Sequence, residues 1–178
     1  NLYHIENQQK LATKLTALAG MKQAFFCNSG AEANEAALKL CRLYGHKKGI
    51  HNPHVVVMEK AFHGRTLATL SASGSRKVQA GFEPLVQGFI RAPFNDLSTL
   101  ETIARHSHEV VAILLEPIQG EGGIHIPDPT YLKKIRELCD SKDWLMVLDE
   151  IQTGVGRTGQ FYNYQHYGIS SMRKRPDL

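Results

Sequence analysis

Long hydrophobic runs are missing from this sequence. The longest uninterrupted apolar run, Val110–Leu115, is far shorter than the roughly 20 residues that a membrane-spanning helix needs. Residues 1–10 have neither the apolar centre of a secretory signal nor the Arg and Ser bias of a transit peptide. We therefore expect no membrane partner and a cytoplasmic location.

Cysteine is scarce, since the 178 residues include only three. They are widely spaced, and each has apolar neighbours in sequence: Cys27, Cys41 and Cys139. This pattern predicts buried, reduced thiols and argues against a disulfide framework or a zinc site.

Pairs with metal-ligand spacing are also rare. His51 and His54 have a suitable spacing, but Asn52 and Pro53 between them predict a turn. No cysteine or carboxylate joins the two histidines nearby in sequence, and protein metal sites need three or four ligands. We therefore expect no metal cofactor.

The sequence has only a small net charge. The formal net charge is +4, and Arg173, Lys174 and Arg175 supply three of these positive charges. No stripe of aromatic and basic residues accompanies them, so we expect no nucleic-acid partner. The composition, with 42% hydrophobic residues, is that of an ordinary globular domain.

What is present is a regular alternation of helix and strand patterns. Helices are predicted at residues 11–19, 31 to about 44, 95–106 and 129 to about 140. A further short helix is predicted directly after residue 66. Strands are predicted at residues 23–30, 54–60, 88–93, 110–117 and 145–150. Residues 110–115 and 145–148 are continuously apolar, which is typical of strands buried on both faces. We infer an α/β fold, a mainly parallel sheet with flanking helices.

Open parallel sheets bind ligands at the carboxyl ends of their strands, so residues that follow strands are candidates for a site. Ser29 and Glu32 form a capping box at the start of a predicted helix. The free N–H groups of such a helix start suit a phosphate, and Gly30 would allow close approach. An ordinary helix start explains the same residues.

Phe62 and Arg65 follow the predicted strand at 54–60. An aromatic ring at this place can stack on a flat ligand, and a guanidinium can bind a carboxylate through two hydrogen bonds. A core phenylalanine and a solvated arginine are the simpler interpretation of these two residues taken alone.

Glu116 directly follows the apolar run 110–115, where an unpaired carboxylate would carry a desolvation cost. Gly120, Gly122 and Gly123 follow it in a loop that could surround a ligand or only turn the chain. The segment therefore marks a candidate site without defining its ligand.

Gly154, Gly156 and Gly159 have the spacing of a dinucleotide-binding turn. In such a turn the first glycine follows the strand directly, whereas here residues 149–153 intervene. The residues after Gly159 are aromatic and typical of a loop. We therefore interpret the glycine spacing as a coincidence.

Asp149 lies at the end of a buried strand without a basic neighbour in sequence, so it needs a cationic partner in space. A protonated pyridine nitrogen is such a partner, and Gln152 could reach the phenolic oxygen of a pyridoxal ring. A structural aspartate that caps a turn would explain Asp149 by itself. It would not explain four polar strand ends in one sheet.

Four segments together resemble, in order and spacing, the class III pyridoxal-phosphate-dependent aminotransferases: NSGAEANEAALKL, AFHGRT, LLEPIQGEGG and DEIQTGVGRTG. The resemblance extends over about residues 1–168. It implies the fold of the large domain of fold-type I pyridoxal-phosphate enzymes and a homodimer with active sites at the subunit interface.

The resemblance also implies roles for single residues. Those implied to bind the cofactor are Ser29, Gly30 and Ala31 at the phosphate, Phe62 on the ring face, Asp149 at the ring nitrogen, Gln152 at the phenolic oxygen, and Glu116 as support for Asp149 and Gln152. Arg65 is implied to bind a substrate carboxylate. Glu121 is implied to neutralise a substrate-binding arginine further along the chain.

The implied reaction moves the δ-amino group of N-acetylornithine to 2-oxoglutarate, forming glutamate, in arginine biosynthesis. Succinyldiaminopimelate, in lysine biosynthesis, is a second candidate donor. His63 favours N-acetylornithine, because family members that act on ornithine usually carry Trp there. Ornithine and 4-aminobutyrate stay open as donors, and so does a different class of function, an inactive fragment or module that only holds the cofactor.

The lysine that forms the Schiff base in this family has no match among the 178 residues, because Lys48, before Gly49, lacks the expected Thr context. We expect this lysine after Leu178, shortly beyond Pro176 and Asp177. Residues 1–178 are then a partial large domain, inactive alone, without the N-terminal segment, the lysine region and the C-terminal small domain. The family usually has about one residue between its YGI and PD segments, whereas here residues 170–175 lie between them.

Overall fold

The computed structural model describes residues 3–169, which form a parallel sheet covered by helices on both faces. The strands are β1 His54–Met58, β2 Phe89–Ala92, β3 Val110–Leu115 and β4 Leu145–Leu148. The helices are α1 Glu6–Ala19, α2 Gly30–Lys47, α3 Leu67–Ala72, α4 Arg76–Gln79, α5 Leu97–His106 and α6 Tyr131–Lys142. A 3-10 helix, Asn163–Tyr167, follows β4.

The strand order is β2-β1-β3-β4, and all three pairings are parallel. After each strand the chain therefore crosses back over the sheet through helical or loop segments, so that the next strand starts at the same end, as parallel strands require. The predicted α/β class with a mainly parallel sheet is confirmed. All four carboxyl ends lie at one edge of the sheet.

Alternate residues of each strand point to opposite faces of the sheet, and helices cover both faces. The sheet therefore has a core on each side. On one face Val56 and Ile113 pack in a core with Leu100 of α5 and Leu132 of α6. The other face has its own core, which contains Val55, Val57, Ala112, Leu114, Leu38 and Cys41, with the last two from α2. All six residues of β3 are buried, as its continuous apolar sequence predicts.

The predicted strand at residues 23–30 is wrong. The structure shows no regular element from residue 21 to residue 29. A strand is defined by hydrogen bonds to a neighbouring strand, and this segment pairs with none of the four strands in the described sheet. Cys27, in the same segment, is exposed, so its predicted burial is wrong as well, whereas Cys41 and Cys139 are buried as predicted.

Helix ends follow local signals more closely. Gly20 adopts a left-handed conformation with φ 62° and ends α1, as predicted. The helix predicted at 129–140 begins two residues later, at Tyr131, and ends at Lys142 before a left-handed Asp143. The four-residue helix α4 was not predicted.

Across residues 3–169 no helix combines the length and apolar composition that crossing a membrane requires. Within the same range no three His, Cys, Asp or Glu side chains are grouped to hold a metal ion. Residues 170–175, Pro176 and Asp177, which the sequence analysis singled out, lie outside the described part of the chain.

Candidate active site

Asp149 follows β4 and lies at the centre of a buried polar cluster. Its Oδ2 atom accepts hydrogen bonds from Asn34 Nδ2 and from His63 Nδ1, each at 2.8 Å. Its Oδ1 atom accepts one from the backbone N–H of Ile151 at 3.2 Å. The backbone N–H of Asp149 donates to Leu115 O at 2.9 Å, which holds the residue against the end of β3.

The charge of Asp149 is not balanced by a lysine or arginine. Within the described residues His63 is the one basic side chain within 4.0 Å of its carboxylate. The side chains of Asp149 and His63 are 4% and 0% exposed, and His63 Nε2 has no hydrogen-bond partner in this part of the chain. A carboxylate so far from solvent is compatible with a further cationic partner, and that partner of Asp149 stays a prediction.

Glu116 follows β3 and holds two loops together. Its Oε1 atom accepts the backbone N–H of Phe62 at 2.9 Å, and its Oε2 atom accepts that of Gly120 at 3.2 Å. Burial raises the pKa of Glu116, and these two hydrogen bonds partly oppose that effect. The Glu116 carboxylate thus holds the backbone of Phe62 and of Gly120, and its implied support of Asp149 and Gln152 stays a prediction.

The N-terminus of α2 has one half of the predicted capping box, because the Glu32 side chain bonds to the backbone N–H of Asn28 and not to that of the N-cap residue Ser29. Ser29 Oγ accepts the backbone N–H of Glu32 at 3.2 Å, and Glu32 Oε2 accepts that of Asn28 at 2.7 Å. A Cβ atom on Gly30 would lie 2.6 Å from Ile151 Cδ1. Glycine at this position therefore lets the turn after Asp149 approach the first turn of α2 closely, so the two predicted parts of the site are adjacent.

Phe62 and Arg65 lie together on the loop between β1 and α3. The Arg65 Cζ atom is 5.9 Å from the centre of the Phe62 ring, within the range of a cation–π contact. Phe62 is half-buried, whereas Arg65 is exposed and so accessible to a ligand. The backbone of Phe62 is held by Glu116, so the ring stands on an anchored loop.

Gln152 and Glu121 are exposed at the same edge of the sheet. A Cβ atom on Gly120 would lie 3.1 Å from Gln152 Oε1, so the Gln152 side chain lies over the loop that follows Glu116. Glu121 lies in the small turn that Gln119 and His125 close by pairing in antiparallel fashion.

Neither Asn34 nor His63 was predicted to contact Asp149. Asn34 is 4% exposed and lies on the buried stripe of α2 with Leu38 and Cys41. A polar residue on an otherwise apolar helical stripe was the available signal for it. His63 was interpreted as a marker of the amine donor, but in the structure its ring contacts Asp149.

Glu150 is a further residue whose role was not predicted, and its carboxylate holds the segment after β4. It accepts hydrogen bonds from Asn163 N at 2.6 Å, Tyr164 N at 2.9 Å and Thr153 Oγ1 at 2.9 Å. Residues 151–162 therefore form a closed series of turns between Asp149 and the 3-10 helix. No helix follows Gly159 directly, which agrees with the interpretation of the glycine spacing as a coincidence.

The chain matches the family Aminotransferase class-III over residues 1–176. It therefore belongs to the class III aminotransferase family. It is 57% identical over 166 residues to an acetylornithine aminotransferase of Nitrosomonas europaea, an alignment that covers 93% of this chain and 42% of that protein. It is 49% identical over 170 residues to an acetylornithine aminotransferase of Methanocaldococcus jannaschii, covering 95% of this chain and 42% of that protein.

Solved structures of such enzymes have the same fold. The ornithine aminotransferase of Toxoplasma gondii ME49 matches with a TM-score of 0.89 and 34% identity, over 94% of this chain and 40% of that one. The N-acetylornithine aminotransferase of Stenotrophomonas maltophilia K279a matches with a TM-score of 0.78 and 35% identity, over 96% and 41%. The chain thus spans about two fifths of the length of the relatives it matches.

Proposed function

We propose that this chain is the cofactor-binding part of a pyridoxal-phosphate-dependent aminotransferase that moves the δ-amino group of N-acetylornithine to 2-oxoglutarate. The observation that carries the proposal is the buried Asp149 carboxylate, which two side chains hold and no lysine or arginine neutralises in the described residues. Family membership and the names of the relatives support the same reaction class.

The residues present fit pyridoxal phosphate. Asp149 Oδ2 is occupied by Asn34 and His63, whereas Oδ1 accepts a single backbone N–H and can accept a further donor. A protonated ring nitrogen is a cationic donor of this kind. When bound, the cofactor supplies an electron sink for the amino transfer, and Asp149 keeps the proton on the ring nitrogen that this chemistry needs.

Further residues fit the other parts of the cofactor. The N-terminus of α2 offers the backbone N–H groups of Gly30 and Ala31, next to Ser29, to a phosphate. The half-buried Phe62 ring fits the face of the pyridine, and Gln152 fits its phenolic oxygen. Glu116 acts on the site through the backbone of Phe62.

The exposed Arg65 and Glu121 provide charge for substrate binding at the same edge. We assign the carboxylate of the substrate to Arg65. Glu121 is assigned to the neutralisation of a substrate-binding arginine outside this chain. Succinyldiaminopimelate is retained as a second donor, so the reaction serves arginine and lysine biosynthesis.

The rest of the catalytic machinery is assigned to the full-length protein, since relatives are more than twice as long as this chain. We place the reactive lysine after Leu178, together with a C-terminal small domain, and an N-terminal segment before Asn1. The active protein is proposed to be a cytoplasmic homodimer.

The proposal is tested by assaying the purified full-length protein with pyridoxal phosphate and 2-oxoglutarate against N-acetylornithine, succinyldiaminopimelate, ornithine and 4-aminobutyrate. We expect N-acetylornithine to be the preferred donor, and Asp149→Asn to lower kcat/KM at least about a hundredfold, because the ring nitrogen loses its anionic partner. Preference for ornithine or 4-aminobutyrate would correct the substrate. Cofactor binding without any amino transfer would identify a cofactor-holding module instead.

A further inference from the structure

We propose that Asn34 is a positioning residue that couples the two ends of the cofactor site, because its amide holds the Asp149 carboxylate at a distance set by helix α2. The inference rests on the proposed function, in which Asp149 faces the ring nitrogen and the N-terminus of α2 faces the phosphate. It concerns a residue with no role in the proposed chemistry itself.

Asn34 joins three segments that are distant in sequence. Its Nδ2 atom donates to Asp149 Oδ2 at 2.8 Å, across 115 residues, and to His63 O at 2.9 Å, across 29 residues. Both amide hydrogens are therefore used. A buried amide in a helix interior is unfavourable unless it is bonded in this way, so the two contacts account for an Asn on the apolar stripe of α2.

The helix makes Asn34 a spacer between the two ends of the site. Asn34 follows Gly30 by four residues, a rise of about 6 Å along the axis. Both residues lie in the first turns of the regular helix α2, and Ser29 caps its start. A ligand held at the helix start and at Asp149 therefore meets a separation that the Asn34 side chain helps to set.

Asn34 also suits the charge of Asp149. A neutral amide donor stabilises the ionised carboxylate and orients it without cancelling its charge. The negative charge thus stays available to a cationic ring nitrogen. A lysine or arginine at this position would neutralise it, and an apolar side chain would leave Oδ2 with His63 alone among its side-chain donors.

The test measures the dissociation constant of pyridoxal phosphate for the apo form of the full-length protein, for Asn34→Leu, Asp149→Asn and the double variant. Leucine keeps the branching of asparagine and removes the donor. We expect Asn34→Leu to weaken binding about tenfold to a hundredfold, as for a lost hydrogen bond to a charged group. In the Asp149→Asn background the same change should alter binding by less than about twofold, because the negative charge that Asn34 orients is already gone.

Gln79→Leu is the matched control. Gln79 is also a buried amide that donates to two backbone carbonyls, Leu70 O and Ser73 O, but it has no contact with Asp149. The Gln79→Leu variant should bind pyridoxal phosphate with a dissociation constant within about twofold of the wild type. Its free energy of unfolding should fall, as that of Asn34→Leu does. Urea unfolding of each apo protein measures that loss.

Three results would overturn the inference: equal weakening by Asn34→Leu and Gln79→Leu, wild-type affinity of Asn34→Leu, or full additivity with Asp149→Asn. Should Asn34→Leu not fold, Asn34→Ser carries the test, and wild-type affinity of that variant overturns it as well. If Asp149→Asn binds pyridoxal phosphate like the wild type, the proposed function fails, and the inference fails with it.

Discussion

The Nδ1 atom of His63 lies 2.8 Å from Oδ2 of Asp149, although the two residues are 86 positions apart in sequence. Both side chains are almost completely removed from solvent. A histidine in the loop after β1 thus helps to hold the carboxylate that follows β4. The contact links two of the predicted parts of the site.

The first prediction concerns the donor atom of His63. Asparagine keeps an N–H donor at about the position of Nδ1, and leucine has the same branching without one, while both remove Nε2. We expect His63→Asn to have a free energy of unfolding higher than that of His63→Leu by about 1–3 kcal/mol, because Asp149 is buried and keeps its donor. Urea unfolding of the two full-length variants measures the difference. The reverse order would mean that the imidazole acts only by filling space.

The second prediction concerns the pH dependence of stability through Glu116. Burial raises its pKa in the folded protein above the ordinary value of 4.5, so the folded state keeps the proton to higher pH than the unfolded state. Its contribution to the free energy of unfolding is therefore largest below 4.5 and decreases as the pH rises from there through the raised pKa. Relative to Glu116→Gln, the wild type should lose stability with rising pH.

Urea unfolding of both proteins between about pH 4 and about pH 8 checks this. Glu137→Gln, which removes a carboxylate from an exposed position on α6, controls for net charge. A difference between wild type and Glu116→Gln that stays constant over the series, or that grows in favour of the wild type, would show that burial of Glu116 does not govern its titration.

The third prediction compares two glycines of one loop. A Cβ atom on Gly122 would lie 2.0 Å from Lys60 O, a backbone atom, whereas one on Gly120 would meet only the end of the Gln152 side chain, at 3.1 Å. Backbone cannot move aside as a side chain can. Gly122→Ala should therefore destabilise the protein by about 1–3 kcal/mol, and Gly120→Ala by clearly less. Thermal unfolding of the pair is sufficient, and equal losses would contradict the proposed packing.

The fourth prediction concerns Glu150 and the turns after Asp149. Removing its carboxylate leaves the backbone N–H groups of Asn163 and Tyr164 without their acceptor. Glu150→Ala should lower the free energy of unfolding by about 1–3 kcal/mol and speed hydrogen exchange at these two amides. Glu137→Ala, at an exposed position, is the control. Unchanged exchange at both amides would contradict the role of Glu150 as an anchor.

Much of the fold and part of the candidate site could be predicted because their signals are local. The N-cap contact between Ser29 and Glu32 depends on residues three apart, and Gly20 ends α1 through its own conformation. The continuous apolar sequence of β3 predicted burial on both faces. The polar strand ends Glu116 and Asp149 were found in the same way, because a carboxylate directly after an apolar run is visible without a structure.

What the sequence alone determined was therefore the parallel α/β class, the order of the four strands and of helices α1, α2, α3, α5 and α6, and the family motifs that follow the strands. Only the tertiary structure decided that Asn34 and His63 share Asp149 Oδ2, that Glu116 holds the backbone of Phe62, and that residues 21–29 form no strand. The reason is physical. Helix caps and burial patterns arise from neighbours in sequence, whereas hydrogen bonds across 115 residues and strand pairing depend on which segments the folded sheet brings together.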